Sequence, residues 1–530
     1  MSSIVEAKVG NHTYLYESVS FRDENGKPRN RRASIGKVDP KTGRHVYKPE
    51  YIERRRLEGS PVEIDPQDRR YSEEDIRRSS IREYGAMHLL LSIGERDGLT
   101  QALREAFPGQ WREIFMLASF LATNGEPFMY CEEWVRSVEA LPVGAMSSQR
   151  ISELLAAIEP VDRDMFYRSW CDFRSDREYL ALDITSASSY SDLVDDVEWG
   201  HNRDGEDLPQ VNICMLMGEE SLLPVYQAVL PGSLKDVSTF DAVMGAFSAL
   251  AGDRPVRAVM DKGFFSKRNV DSMLCGKARR QFVVAMPFTS AFAKSQVISE
   301  SKDIDSPVNT IVVGADSMRA VTKERAWGKG HSVYTHVYFN AKKAAKVKEA
   351  LYADVSILKE QADADPERCS LSAEHTKYLS IRRSKSSASG FTVAIREAVI
   401  RDELKHSGWV VIISNDIADA RKAMRIYRAK DVVEKGFMML KNSLDIGRLR
   451  VHSQERMQNK LFVGFIALIL MSELHKTMTE TGLYRSMTMK QMLRKLSKLR
   501  VQEISGNRVV YPATKEQKAI LEAFGVDVPL

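Results

Sequence analysis

From residue 177 onward the chain changes texture, and that change restricts its fold more than any other feature. "REYLALDIT" (177–185), "QVNICMLMG" and "LLPVYQAVLPG" read as three strands joined by short connections. "DVSTFDAVMGAFSAL" follows as an amphipathic helix, "PVRAVMDKGF" as a buried strand, "SKRNVDSMLCG" as a helix and "RRQFVVAMP" as another strand. The order β-β-β-α-β-α-β predicts the α/β class, with a mixed sheet that opens on three meandering strands. The first and fourth of these strands read as ending in an aspartate, Asp183 and Asp261.

The sheet reads as interrupted after residue 287. Residues 288–407 are rich in Lys, Ser, Thr and Val and carry "HSVYTHVYFN", the helical "AKKAAKVKEALYADVSILKEQ" and "KSSASGFTVAI", a pattern that fits an inserted mixed domain. The sheet is expected to resume at "GWVVIISND" (408–416), followed by a helix and then by a second helix over 455–476. The apolar run "LFVGFIALILM" (461–471) has 11 residues, shorter than the roughly 20 that cross a bilayer, and reads as buried core.

At 530 residues the chain is too long for one compact core. Its expected divisions are a basic β-rich N-terminal region (1–75), a helical DNA-binding or connector domain (76–174), a first core part (175–287), the insertion (288–407), a second core part (408–480) and a basic C-terminal helix and tail (481–530). Within the first division, "HTYLYESVSFR" and "RRASIGKV" read as strands and the Arg-rich stretch from 51 as a linker. Charge is concentrated there. Residues 1–60 hold 13 Lys/Arg against 8 Asp/Glu, an excess equal to the +5 of the whole chain. The clusters holding Arg29, Arg31, Arg32 and Arg54, Arg55, Arg56, interleaved with Tyr, Val and Ile, point to a nucleic-acid contact.

The helix after the resumed strand begins "YRAKDVVEKGFMMLKNSLDIG" (427–447). It carries Tyr427, Lys430, Glu434 and Lys441 at offsets of 3, 4 and 7, so the four side chains point roughly the same way. Taken singly, an Asp after an apolar strand is a cap or turn residue, Glu434 is a solvated helix residue, and Glu473 merely follows the apolar run. The joint setting reads differently. Neighbouring strands ending at one sheet edge would present Asp183 and Asp261 to a common cleft, with Glu434 as third carboxylate. Three such carboxylates make a hard oxygen cage of the kind that holds two Mg²⁺ ions for in-line displacement at phosphorus.

On these residues the chain resembles the DDE transposases of bacterial insertion sequences, whose catalytic core is RNase H-like. The similar branch has its core split by a large insertion and carries a Y-x₂-R-x₃-E-x₆-K signature. Tyr427, Lys430, Glu434 and Lys441 match every spacing, with Lys in place of Arg. "DITSASSY", "LPVYQAVLPGSLKDVSTF", "VMDKGFFS" and "VHSQERMQNKLFVGFIALIL" resemble the family's other blocks, so that the likeness covers about 80–480. It implies that Asp183, Asp261 and Glu434 bind two Mg²⁺ ions per site, with Mn²⁺ as a substitute, and that Tyr427, Lys430 and Lys441 grip phosphates. It further implies a homodimer on double-stranded DNA that binds terminal inverted repeats, cleaves beside them and joins the 3′ ends to target DNA. The hairpin route used in this branch needs a flipped base stacked on an aromatic. Trp327, the insertion's only Trp, is the candidate, with insertion core as its plainer role.

Other signals exclude function classes. The ten histidines form no HxxxH or HxH pair, and no glycine cluster forms a P-loop, so neither a histidine metal site nor a nucleotide cofactor is expected. The five cysteines are scattered without a CxxC, and "MSSIVEAKVGNHTY" has no apolar signal core, which together lead to the expectation of a cytoplasmic protein without membrane attachment. Two rivals share the same residues: a catalytically silent DNA-binding relative, such as a repressor, and a metal-dependent nuclease of the same fold.

Overall fold

A computed structural model describes residues 2–24, 26–41, 43–60, 62, 73–139, 141–173, 178–203, 205–252, 255–275, 280–328, 330–385, 387, 390–444 and 449–529. The chain divides into two compact units, one comprising Met1–Ile81 with Val501–Tyr511 and the other Arg82–Arg500 with Pro512–Leu530.

In the first unit β1 (Ser2–Val9), β2 (His12–Arg22), β3 (Pro28–Val38) and β4 (His45–Tyr47) form an antiparallel meander in chain order. The turns carry glycine in the left-handed region, Gly10 at φ 62° and Gly26 at φ 71°, where a side chain would be strained. The Arg-rich stretch expected as a linker is helical over α1 (Pro49–Leu57), because Tyr51 joins Leu15 and Ile35 in a small core. A second short helix, α2, spans Glu73–Arg78.

After the short strand β5 (Ser80–Glu83) the expected helical region appears as α3 (Gly85–Arg96), α4 (Leu99–Ala106), α5 (Trp111–Asn124), α6 (Cys131–Ser137), α7 (Ser148–Ala157) and α8 (Pro160–Asp172). Then come β6 (Leu180–Ser188), β7 (Gln210–Gly218), β8 (Pro224–Pro231), α9 (Asp236–Ala251), β9 (Val256–Met260), α10 (Lys267–Cys275) and β10 (Arg280–Ala285), the anticipated order. β7 is buried along its whole length, and β6 is buried at every position but Asp183. Such strands need cover on both faces, and the helix over Asp431–Met438 supplies part of it.

The sheet does not stop at 287. Past α11 (Ala291–Glu300), β11 (Thr310–Val313), β12 (Asp316–Trp327) and β13 (His331–Phe339) add three antiparallel strands to it, and β16 (Trp409–Ser414) lies between β13 and β10. The result is one nine-stranded mixed sheet of order β11-β12-β13-β16-β10-β9-β6-β7-β8. Residues 288–407, which hold these strands, are rich in Lys, Ser, Thr and Val, so their texture resembles an inserted domain. Only the remainder forms a satellite with its own core. There α12 (Ala341–Ala364), α13 (Pro366–Ser370), α14 (Ala373–Tyr378), the hairpin β14 (Leu379–Arg383)–β15 (Phe391–Ile395) and α15 (Glu397–Leu404) enclose Val355, Leu358, Tyr378 and Ile400.

Two helices follow β16, α16 (Ala420–Ala429) and α17 (Asp431–Met438), so the single helix expected over 427–447 is broken at Lys430 and passes into a π turn over Met439–Ser443. α18 (Gln454–Glu480) contains the apolar run. It is long and apolar enough to cross a membrane, but 83% of its apolar window is buried inside the protein, against α5, α7 and β8. The expected basic tail contains more structure than foreseen: α19 (Met489–Ser497), the hairpin β17 (Arg500–Ile504)–β18 (Asn507–Val510) and α20 (Lys515–Ala523).

Candidate active site

β6 and β9 are parallel neighbours in the register Leu180↔Ala258, Ala181↔Val259 and Leu182↔Met260. One further step along that register brings Asp183 beside Asp261, at the ~4.8 Å spacing of adjacent strands. Asp183 is not a strand terminus as the sequence reading had it. β6 continues to Ser188 because Ile184 to Ser188 remain paired with β7, and the carboxylate leaves the sheet from mid-strand. Asp261 does follow its strand, where it caps a short turn over Lys262–Phe264 by accepting from the Lys262 N–H at 2.7 Å.

α16 and α17 deliver the remaining groups. α16 starts at Asp419, whose side chain accepts from the Lys422 N–H at 2.6 Å. Arg428 pins it to the sheet extension, donating to the Val313 carbonyl at 2.9 Å and pairing with Asp316 at 2.8 Å. α17 packs on β6 and β7, and Gly436 sets how closely: a Cβ there would lie 2.5 Å from Met217 Sδ.

These supports bring Tyr427, Lys430, Asp261, Asp183 and Glu434 into one cluster. The Tyr427 hydroxyl donates to Asp261 Oδ1 at 2.8 Å. Lys430 Nζ lies 3.3 Å from Glu434 Oε1 and 3.9 Å from Asp261 Oδ2. Burial alone would lower the pKa of this lysine, but the charges of Asp261, Glu434 and Asp183 together raise it. Asp183 is the perturbed carboxylate. Burial pushes it up to about 6, opposed by the Ile184 N–H and by the charges of Arg203 and Lys430, and reinforced by Asp261. Burial, with Asp261 beside it, raises the Tyr427 phenol far above its ordinary value, so it stays a hydrogen-bond donor.

The arrangement is a set of carboxylates grouped about a single ammonium. Among the described residues no three carboxylates, histidines or cysteines already stand close enough together to hold a metal ion. The donor set nevertheless suits a hard divalent cation: only carboxylate oxygens, one on β6 and one just past the end of the adjoining β9.

Residues 174–470 match the family described as Transposase DDE domain, a span of more than half the chain that includes Asp183, Asp261 and Glu434. The chain belongs to the DDE transposase family. Membership implies polynucleotidyl transfer or nuclease chemistry. Among solved structures, the chain is similar to a piggyBac transposase synaptic complex with hairpin DNA, determined by cryo-EM, at 11% identity and a TM-score of 0.33, over 82% of this chain and 72% of that one. At that distance the likeness carries nothing about the site. No curated protein matches the chain.

Lys441 sits on the π turn over Met439–Ser443, seven residues beyond Glu434, and is half-buried. Trp327 ends β12 in a buried position, donating from Nε1 to Asp271 at 2.8 Å, with Phe265 and Phe292 edge-on to its ring. Packed in this way, its indole is held within the protein and not presented on the surface. Glu473 is buried in α18, and its charge is felt by Arg96. In the first unit Arg29, Arg31 and Arg32 are exposed on β3, Arg29 with Asp23 at 3.1 Å. Arg54 is taken up by Glu17 and the Tyr51 ring, and Arg55 by Glu58 at 3.4 Å, while the Arg56 side chain lies outside the described residues. Sequence reasoning missed Arg203, whose charge reaches Asp183 from the β6–β7 loop. Its one sequence signal is a cation inside the polar run "GHNRDGED".

Proposed function

We propose that this chain is a DNA transposase that cleaves DNA at the ends of an insertion sequence and transfers the 3′ ends to target DNA, using an RNase H-like core. The observation that carries the reading is the convergence of Asp183, Asp261 and Glu434 on Lys430 within the span that matches the family. Two Mg²⁺ ions held by these carboxylates would supply activation of the attacking oxygen and stabilisation of the leaving one.

The chain's own residues have separable roles. Asp183, on β6, and Asp261, just past the end of the adjoining β9, would form the fixed half of the oxygen set. Glu434 comes from α17, on the exposed side of the cluster, and its position depends on how α17 seats over β7. Tyr427 orients Asp261 through its hydroxyl, leaving Oδ2 to face the cleft. Lys430 balances the carboxylates before DNA arrives and then offers its charge to a phosphate. The exposed Arg31 and Arg32 of the N-terminal unit would add DNA backbone contacts.

The test uses the full-length protein, a labelled duplex carrying an inverted repeat that flanks the gene, and a supercoiled target, with Mg²⁺ or with Ca²⁺. Wild type should cut at the end and produce joined molecules in Mg²⁺. Glu434→Gln should bind the same duplex in Ca²⁺ and yield neither product. Cleavage without joining would move the assignment to a nuclease, and binding without cleavage by either protein to a silent DNA-binding relative.

A further inference from the structure

Beside the carboxylate cluster lies a cavity of about 420 Å³, within the range of small-molecule sites. It opens between the β6–β7 loop and the start of α9. Arg203, Lys235 and His201 contribute its charged and titratable side chains, Leu234 and Val237 give it an apolar side, and no carboxylate is among its described lining residues. Gly263, two positions beyond Asp261, closes the end nearest the cluster. The Arg203 N–H donates to Ser186 Oγ at 3.0 Å, three residues along β6 from Asp183, and the Arg203 charge lowers the pKa of Asp183. The cavity and the catalytic carboxylates therefore share a border.

The walls are built rather than left over. Glu198 and Gln210 exchange backbone hydrogen bonds at 2.9 and 3.0 Å, and the Gln210 side chain donates to the His201 carbonyl at 2.9 Å, which fixes the loop against β7. Asn212 donates to the Pro231 and Leu234 carbonyls at 3.1 and 3.0 Å, fixing the opposite wall. Gly200 and Gly232 let the two walls meet: a Cβ on Gly200 would lie 2.0 Å from the Gly232 carbonyl oxygen, and one on Gly232 2.0 Å from that of Gln210. α9, 16 residues long, directs the positive end of its dipole from Lys235 toward the same space.

A preformed space carrying Arg203, Lys235 and His201, with no carboxylate among its described lining residues, bordering a phosphodiester-cleaving cluster, fits one class of occupant. We infer that the cavity holds the nucleotide adjoining the scissile phosphate, with Arg203 and Lys235 on its phosphate and Leu234 and Val237 against its sugar. This rests on the DNA-cleaving assignment above and adds to it a subsite that sets which phosphate enters the cluster. Arg203 and Lys235 are positioning residues, acting through the DNA backbone.

The full-length protein is assayed on the inverted-repeat duplex, with each phosphate around the cut made neutral in turn as a methylphosphonate. In wild type, neutralising one phosphate next to the scissile one should slow cleavage about tenfold or more, the effect of losing a charge-assisted hydrogen bond. Arg203→Ala should slow cleavage of unmodified DNA to a similar degree and lose most of its sensitivity to neutralisation at that position alone. Arg203→Lys should recover part of the rate, and the exposed Lys235→Ala should repeat the pattern if Arg203→Ala lowers the thermal midpoint. A general folding defect would slow every substrate equally and leave the wild-type sensitivity in place. That result, or wild-type rates in both variants, overturns the subsite while leaving the DNA-cleaving assignment intact. Wild type that neither binds nor cuts the duplex would overturn both.

Discussion

Removing one hydroxyl separates two roles for Tyr427. The resemblance implies a phosphate grip, whereas the structure commits the phenol to Asp261 Oδ1 at 2.8 Å. In Tyr427→Phe the ring stays and the donor goes. A hydrogen bond to a charged acceptor contributes about 1.5–3 kcal/mol. Asp261 keeps 36% of its side chain in water, and water takes over part of the lost bond, so the lower end applies. About 1.5 kcal/mol corresponds to roughly a tenfold slower chemical step, since about 1.4 kcal/mol is tenfold. The assay is single-turnover end cleavage in Mg²⁺, alongside DNA affinity in Ca²⁺, where binding occurs without chemistry. The expected result is a cleavage rate about tenfold lower with unchanged affinity. Weakened affinity with an unchanged rate in saturating protein would refute the orienting role and restore the phosphate grip.

Three further outcomes follow from the same geometry. Lys430→Arg should retain end cleavage, while Lys430→Met should move the acid limb of the pH–rate profile to higher pH, because the ammonium lowers the pKa of Asp183; an unmoved limb would separate Lys430 from that carboxylate. His336 is fully buried, donating from Nε2 to the Ile417 carbonyl at 3.0 Å with Nδ1 2.7 Å from Thr322 Oγ1, and burial lowers its pKa to about 4. Its folded value lies below the unfolded 6.5, so the stability it contributes is complete above pH 6.5 and is lost as pH falls toward 4, by at most about 3 kcal/mol. Thermal midpoints of His336→Gln should therefore decline less steeply than wild type across that window, and parallel curves would contradict the assignment. Gly436→Ala should cost no more than about 2 kcal/mol in stability, since overpacking against Met217 is offset by better helix propensity, yet slow cleavage by shifting Glu434. Adding Met217→Ala should restore the rate, and failure to do so would detach Gly436 from the placement of α17.

The legible part of this protein was the part encoded locally. Apolar runs of strand length broken by turns gave β6 to β10 in order, and Asp183 and Asp261 stood out as aspartates read at the ends of two of those runs. The Tyr427, Lys430, Glu434 spacing stood out for the same reason, since helical offsets bring such residues to one face.

What remained hidden depends on neighbours distant in sequence. β11 to β13 carry edge-type, half-exposed faces, so their texture resembles a separate domain, and only pairing of β13 with β16 shows that they extend the main sheet and anchor α16 through Arg428. The helix break at Lys430 and the π turn over Met439–Ser443 are not signalled by the offsets that grouped these residues. Trp327 is held by Asp271 and two phenylalanines, and Arg203 reaches Asp183 from a loop that carries no motif. Which carboxylates this chain carries and the order of its central strands follow from periodicity and composition, which act between near neighbours. The tertiary structure alone decided which cations those carboxylates meet and how far the sheet extends, because electrostatics and strand pairing act across space.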